Sequence, residues 1–365
     1  MRAIVKIGTS SLTDEGGLID ASAVQKLCDE VAAQRALGHE IVLVTSAAIA
    51  AGLAPLGLST NRPKDALTLQ AVSAIGQSRL MHVYNVALER HGLIGAQVLL
   101  TPLDFMLRAQ YLHARDTLER IIELGVIAII NENDAIADDE IRFGDNDRIA
   151  ALVANLLNAD VLILLTDTGG LYTADPRTDP AATLIHDVEA IDDELQNVAG
   201  GAGTARGSGG MASKVRAARM ASWSGVRTVI AAARRDNVVG DAMGDVRGVG
   251  TTIRAKSRDR KLAARKLWIG FAAPGEGTIT IDAGAEAMLI SQGVSLLHAG
   301  VVAVAGDFAA QDPIDVVNQA GRLIARGLAS VDSTAARASL GRRSSDLDSG
   351  VAAAVIHRDD LVVLV

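Results

Sequence analysis

The 365-residue sequence has one cysteine, Cys28, so no internal disulfide can form and a reducing setting, the cytoplasm, is expected. Aromatic residues are only 2% of the chain, which leaves few rings on which single-stranded nucleic acid could stack. No uncharged apolar run approaches the ~20 residues of a membrane span, although 49% of the residues are hydrophobic. The opening residues do not read as a secretory leader, because Arg2 and Lys6 interrupt them. Cations are in the minority, and a net charge of −8 gives no reason to expect nucleic acid as the main partner. Two common phosphate loops are missing as well: neither G-x-x-x-x-G-K-[ST] nor G-x-G-x-x-G occurs. His357-Arg358-Asp359 matches only the start of a protein-kinase catalytic loop, since Leu364 stands where that loop needs Asn.

What is present has the rhythm of an α/β chain, long enough for two domains. Ala3 to Ile7 is an apolar run broken by Lys6, then Gly8 and two hydroxyls. It predicts a buried strand ending in a cation and a glycine turn, a pattern that suits an anion site at a sheet edge. Asp20 can cap a helix over 21–37 that Gly38 closes, and Glu40 to Thr45 is a second strand. Strand, helix and strand in about 45 residues make a parallel βαβ unit. Further strands are expected at Ile94–Leu100, Val126–Ile130, Val161–Leu165 and Val226–Ala231, with helices at 64–91, 110–124, 148–157 and from Met211. The fold class is therefore α/β: an open, mostly parallel sheet sandwiched by helices.

Several polar stretches sit at expected strand ends. Ser46 follows the second strand and precedes a helix, where amides bind anions, though a plain N-cap accounts for it too. Asn131-Glu132-Asn133-Asp134 follows a fully apolar strand, and Phe143-Gly144-Asp145-Asn146-Asp147 leads into a helix that Asp147 can cap. Asp138 to Glu140, between them, reads as a charged hairpin. Thr166-Asp167 follows another strand. The most glycine-dense stretch, Gly200 to Gly210, opens a helix carrying Lys214 on its first turn. Exposed amides, a helix N-terminus and a lysine form a phosphate cradle, although a surface loop of this composition needs no ligand.

Beyond Ile253 the composition changes. Arg254, Lys256, Arg258, Arg260, Lys261, Arg265 and Lys266 stand against Asp259 alone and read as a solvated linker or an interdomain helix. Short strands are expected after it at Gly277–Asp282, Leu289–Leu297, Val301–Val304 and Pro313–Asn318, in a region with six arginines against eleven acids. The division expected is a first domain over 1–254, a basic linker over 255–270 and a small, mainly β domain over 271–365.

Taken in order, Ile-Val-Lys6-Ile-Gly-Thr-Ser, Val-Thr-Ser46, Ile-Asn-Glu-Asn-Asp134, Gly-Asp-Asn146-Asp147, Leu-Thr166-Asp167 and Gly-Gly-Met-Ala-Ser-Lys214 resemble the amino acid kinase family, in its glutamate-phosphorylating branch. Gly-Leu-Tyr172-Thr-Ala-Asp-Pro-Arg177 adds to the likeness, and the C-terminal part resembles a PUA domain. The resemblance implies an amino acid kinase fold and ATP-dependent phosphoryl transfer to the γ-carboxylate of L-glutamate, the first step of proline biosynthesis. It implies that Lys6 and Lys214 hold the moving group while Asp147 orients them, and that Ser46, Asp134 and Asn146 bind glutamate. It assigns ATP to Lys6, Thr166, Asp167, Ser208, Gly209, Gly210, Met211, Ala212, Ser213 and Lys214. Magnesium on the phosphates, feedback inhibition by proline and a homo-oligomer, dimer or tetramer, are implied too; no protein metal ligand is assigned. Residue chemistry agrees, since a carboxylate acceptor is ionised at pH 7 and needs charge neutralisation rather than a general base. Two residues depart from the family pattern: Ala47 stands where glycine is usual, and Ser208 where threonine is. Two alternatives remain at this point: another amino acid kinase acting on acetylglutamate, aspartate or a nucleoside monophosphate, or an RNA-binding protein working through its PUA domain.

Overall fold

A computed structural model gives the structure of the chain and describes residues 1–136, 146–191, 195, 210–255, 264–271, 275–346 and 352–364. The chain forms two compact units, Met1–Lys261 and Leu262–Val365.

The first unit is built on eight strands: β1 (Arg2–Ile7), β2 (Glu40–Val44), β3 (Gly95–Leu100), β4 (Ile127–Glu132), β5 (Val161–Thr166), β6 (Asp187–Val188), β7 (Arg227–Ala232) and β8 (Thr251–Ile253). Their order in the sheet is β3-β4-β2-β1-β5-β7-β8-β6. All neighbours pair in parallel except β7 and β8. The expected open, mostly parallel sheet is therefore present, and β6 and β8 extend it beyond the strands expected from sequence. The chain leaves β1 first toward β2, β4 and β3, then crosses to β5 and β7 on the other side. That reversal makes β1 the switch point, where the carboxyl ends of an open α/β sheet bind ligands.

The helices of this unit are α1 (Thr9–Leu12), α2 (Ala21–Ala36), α3 (Ala48–Leu53), α4 (Ala66–Glu89), α5 (Arg108–Glu123), α6 (Asn146–Leu156), α7 (Met211–Trp223) and α8 (Val238–Met243). The pleat of β1 sorts its side chains between two layers. Ala3, Val5 and Ile7 join a core with α2, α4 and α8. Ile4 and Lys6 alternate with them and face the other side, where α6 packs on β1. From Ile149 to Leu156 every residue of α6 is buried, which marks it as a central helix rather than an amphipathic surface one. Asp20 caps α2 by accepting from the Ser22 and Ala23 amides, as its position predicts. Cys28 packs in the α2 core, where burial, and then Asp29, push its thiol up to about 12, so it stays protonated.

Helices α3 and α4 cross with almost no side chain between them. A Cβ on Gly76 would lie 1.8 Å from the Ala48 carbonyl oxygen, and one on Gly52 would lie 2.0 Å from that of Val72. The two glycines let the backbones touch, which brings the Ser73–Gln77 turn of α4 against the chain leaving β2.

The second unit holds a five-stranded sheet in the order β10-β9-β11-β12-β13, with β9 (Gly277–Ile281), β10 (Val301–Ala305), β11 (Pro313–Asn318), β12 (Leu323–Leu328) and β13 (Leu361–Val363). Its helices are α9 (Ala264–Phe271), α10 (Ala283–Gln292) and α11 (Ser333–Ala338). Of the run expected as a strand at Leu289–Leu297, the first four residues are the end of α10, and Leu296 pairs only in an isolated bridge to Ile356. Asp282 caps that helix by accepting from the Ala285 amide, and Gly293 ends it at φ 59°. In α9, Ile269 packs with Leu328, Val362 and Leu364.

Candidate active site

Those side chains singled out by sequence that lie among the described residues gather at the carboxyl ends of β1, β2, β4 and β5. Lys6 Nζ lies 2.6 Å from Asp147 Oδ1. Lys214, on the first turn of α7, brings its Nζ to 3.2 Å from Asp147 Oδ2. Ser213 Oγ donates to that same oxygen at 2.8 Å. Asp147 was expected to cap its helix. It lies instead inside the first turn of α6, 1% exposed, with its carboxylate turned to the two lysines. The ladder explains why: β1 delivers Lys6 to the α6 face, so the carboxylate meets a cation rather than free amides. Burial works against the charge on Asp147. The Lys6 and Lys214 ammoniums and the hydrogen bonds from Lys6 and Ser213 outweigh it and hold the carboxyl well below the usual carboxylate range.

Next to this trio lies an amide network. Asn146 Oδ1 accepts from the Glu132 amide at 3.0 Å, and Asn146 Nδ2 donates to Asn131 Oδ1 at 3.0 Å and to Ser46 Oγ at 3.2 Å. Asn131 Nδ2 in turn donates to Gln77 Oε1 at 2.8 Å. Asp134, just past β4, accepts from Ser73 Oγ at 2.8 Å. Burial pushes the Asp134 carboxyl up, only partly offset by the bond from Ser73.

Ser46 is not the N-cap of the following helix. That position belongs to Ala47, at φ 80° in the left-handed region. An L-residue with a Cβ is strained there, and the turn is held by a relay: Thr45 Oγ1 donates to the Ser46 carbonyl at 3.2 Å, so Tyr84, 2.8 Å away, donates its hydroxyl to Thr45. Thr166 Oγ1 donates to Asp167 Oδ1 at 3.1 Å at the end of β5, the strand beside β1. Gly210 precedes α7, with Met211, Ala212, Ser213 and Lys214 in the first turn. Ser208, Gly209 and the hairpin expected at 138–140 lie outside the described residues. Ser73 and Gln77 were not singled out by sequence, and Asn131 only as part of the polar stretch running to Asp134. A polar residue at a position of the α4 stripe that otherwise buries Val72, Gly76 and Leu80 was the available signal.

A family model for the amino acid kinase family matches residues 1–232. The chain belongs to the amino acid kinase family. A PUA domain model matches residues 277–351. Relatives within the amino acid kinases share nearly the whole chain. The glutamate 5-kinase of Herminiimonas arsenicoxydans is 44% identical over 100% of this chain and 98% of its own length. The glutamate 5-kinase of Methylibium petroleiphilum is 46% identical over 99% and 97%, and that of Thermobifida fusca 44% identical over 100% and 93%. Among solved structures, the Giardia lamblia carbamate kinase bound to AMP-PNP superposes with a TM-score of 0.51 at 18% identity, over 70% of this chain and 98% of that one. The UMP kinase of Bacillus anthracis gives 0.50 at 15% identity, over 70% and 96%. These two likenesses are of fold.

Proposed function

We propose that this chain transfers the γ-phosphoryl group of ATP to the γ-carboxylate of L-glutamate, giving L-glutamyl 5-phosphate and ADP for proline biosynthesis. Full-length similarity to glutamate 5-kinases supports the substrate. The observation that carries the chemistry is the pair of buried lysines on the two oxygens of Asp147. The acceptor is already an anion at neutral pH, since a glutamate carboxyl ionises near pH 4.3. The barrier is the approach of two anions, and Lys6 and Lys214 neutralise charge on either side of the transferred group. One carboxylate oxygen of glutamate attacks phosphorus, the new O–P bond forms, and the bond to ADP breaks. No proton has to move.

Asp147 is unsuited to be a general base, since both its oxygens carry cations. Its part is to set the two ammoniums. Ser46, Asn146 and Asp134 line the acceptor side, while Thr166, Asp167 and the segment from Ser208 to Lys214 take the nucleotide. All lie within the first unit, to which we assign the reaction. Among the described residues no three His, Cys, Asp or Glu side chains cluster to hold a metal ion. Magnesium is expected to ride on the phosphates and water, with few protein ligands. No described helix is long and apolar enough to cross a membrane, and with its lone buried cysteine the chain fits a cytosolic enzyme. Proline is the expected feedback inhibitor.

A panel of L-glutamate, N-acetylglutamate, aspartate and UMP, each with ATP and magnesium, tests the reading through ADP release. Glutamate should give the highest kcat/KM by at least about two orders of magnitude, a gap of the size that unmet polar contacts produce. A preference for any other acceptor overturns it.

A further inference from the structure

The amide network beside the lysines ends in a group with nothing to bond. Gln77 is 8% exposed, and its Nε2 has no hydrogen-bond partner among the described residues. The orientation of that amide is fixed by chemistry rather than by choice. The Glu132 backbone N–H can only donate, so Asn131 and Asn146 must each turn an oxygen to it. Asn131 Nδ2 then has to donate, so the Gln77 atom it meets is Oε1. The other atom of Gln77 is therefore an NH2 with two hydrogens, buried and unspent. One turn earlier on α4, Ser73 satisfies Asp134 Oδ2, while Asp134 Oδ1 is buried without a partner among the described residues. A donor without an acceptor on Gln77 thus sits one turn of α4 from the Ser73 that holds Asp134, whose other oxygen is an acceptor without a donor.

We infer that Gln77 is a substrate-binding, specificity-determining residue: its free amide hydrogens bind the α-carboxylate of the acceptor amino acid, with Asp134 Oδ1 taking the α-ammonium. The inference rests on the glutamate reading above. The assignment of ends follows from the order of contacts. Asn146, next in sequence to the Asp147 that holds the lysines, begins the network, Asn131 forms its middle, and Gln77 forms its far end. A substrate whose reacting carboxylate lies at the lysines presents its other carboxylate at Gln77. The close crossing at Gly52 and Gly76 positions that end of α4.

The test is Gln77→Glu, which keeps an acceptor for Asn131 and replaces only the free donor by an oxygen. In the full-length enzyme, KM for L-glutamate should rise tenfold or more, with kcat within about threefold and KM for ATP within twofold. The competitive inhibition constant of 4-aminobutyrate, which is glutamate without its α-carboxylate, should change less than twofold. Gln77→Met, which adds no charge but removes the acceptor for Asn131 along with the free donor, should show the same split with a smaller rise, and it decides the matter if Gln77→Glu does not fold. A folded variant with glutamate KM within twofold of wild type overturns the inference. So does a parallel loss toward glutamate and 4-aminobutyrate. Failure of the wild-type chain to phosphorylate glutamate at all would instead sink the function on which the inference rests.

Discussion

Lys6 on β1 and Lys214 on α7 hold opposite oxygens of one carboxylate, Asp147, at 2.6 and 3.2 Å. Neither lysine is more than 4% exposed, so the ion pair with Asp147 offsets part of the cost of burying each charge. In the proposed reaction the same carboxylate sets the ammonium groups where two substrate anions must meet.

Replacing Asp147 by Asn keeps the shape and removes the charge. The two buried ammoniums would then lose the carboxylate they share, at about 3–5 kcal/mol by comparison with other broken buried pairs. The carboxyl is held below its unfolded value near 3.9, so its stabilisation is complete above about pH 4 and fades as pH falls toward the lowered native value. Urea unfolding at pH 7 and again near pH 3 should show the wild-type advantage over Asp147→Asn shrinking at the lower pH. An advantage that grows on acidification would contradict the charge assignment.

Asp134 titrates the other way. Burial raises its pKa, so protonation favours the fold, and this contribution is lost as pH rises through the native value. Binding an ammonium needs the ionised form. Glutamate KM should therefore climb as pH drops toward that raised pKa, at pH values above the ordinary 3.9 or so, and Asp134→Asn should flatten the climb while weakening binding at pH 7. The ratio of the two KM values, followed from pH 8 to pH 5, reads this directly, and a constant ratio would remove Asp134 from ammonium recognition.

Ala47 carries backbone strain beside Ser46, at φ 80°. Ala47→Gly should relieve it and raise unfolding stability by about 0.5–1 kcal/mol, because glycine adopts this region freely. A stability loss in urea titration would mean that the small buried methyl matters more than the strain.

Gly76→Ala would put a Cβ 1.8 Å from the Ala48 carbonyl oxygen. Helices α3 and α4 must then separate, at about 1–3 kcal/mol for an overpacked crossing. Ser73 and Gln77 move with the helix, so glutamate KM should rise while ATP KM holds. Equal effects on both substrates would argue against α4 as the acceptor wall.

Much of this was legible in the sequence because the informative positions obey local rules. Lys6 interrupts an otherwise apolar run, Asp20 precedes a helical stripe, and the polar stretches follow buried strands. The role of Asp147 was harder, since an acid at a helix start reads as a cap until the register of β1 brings Lys6 beside it. Residues Leu289–Leu297 mix a helix end and an extended segment, so apolar content alone favoured a strand; Asp282 and Gly293, the two caps, were the better signal. Strand β12 hides because Arg326 and Gly327 break its apolar pattern. Arg326 is paired with Asp315 on the neighbouring strand, and a Cβ on Gly327 would come within 2.5 Å of Ile356, contacts that only the folded sheet creates. Gln77 is invisible for the same reason: a glutamine inside a helix reads as surface until the Gly52–Gly76 crossing buries it.

The central claim is that two lysines, set by one aspartate, move a phosphoryl group onto the side-chain carboxylate of glutamate. Hydroxylamine traps the acyl phosphate as a hydroxamate, and its formation by wild type, Lys6→Ala and Lys214→Ala is the direct measurement. Wild type should form hydroxamate only when both ATP and L-glutamate are present. Each folded lysine variant should lose about two to four orders of magnitude in kcat, the scale of a lost charge stabiliser. No hydroxamate from wild type, or near-wild-type turnover in either folded variant, would contradict it.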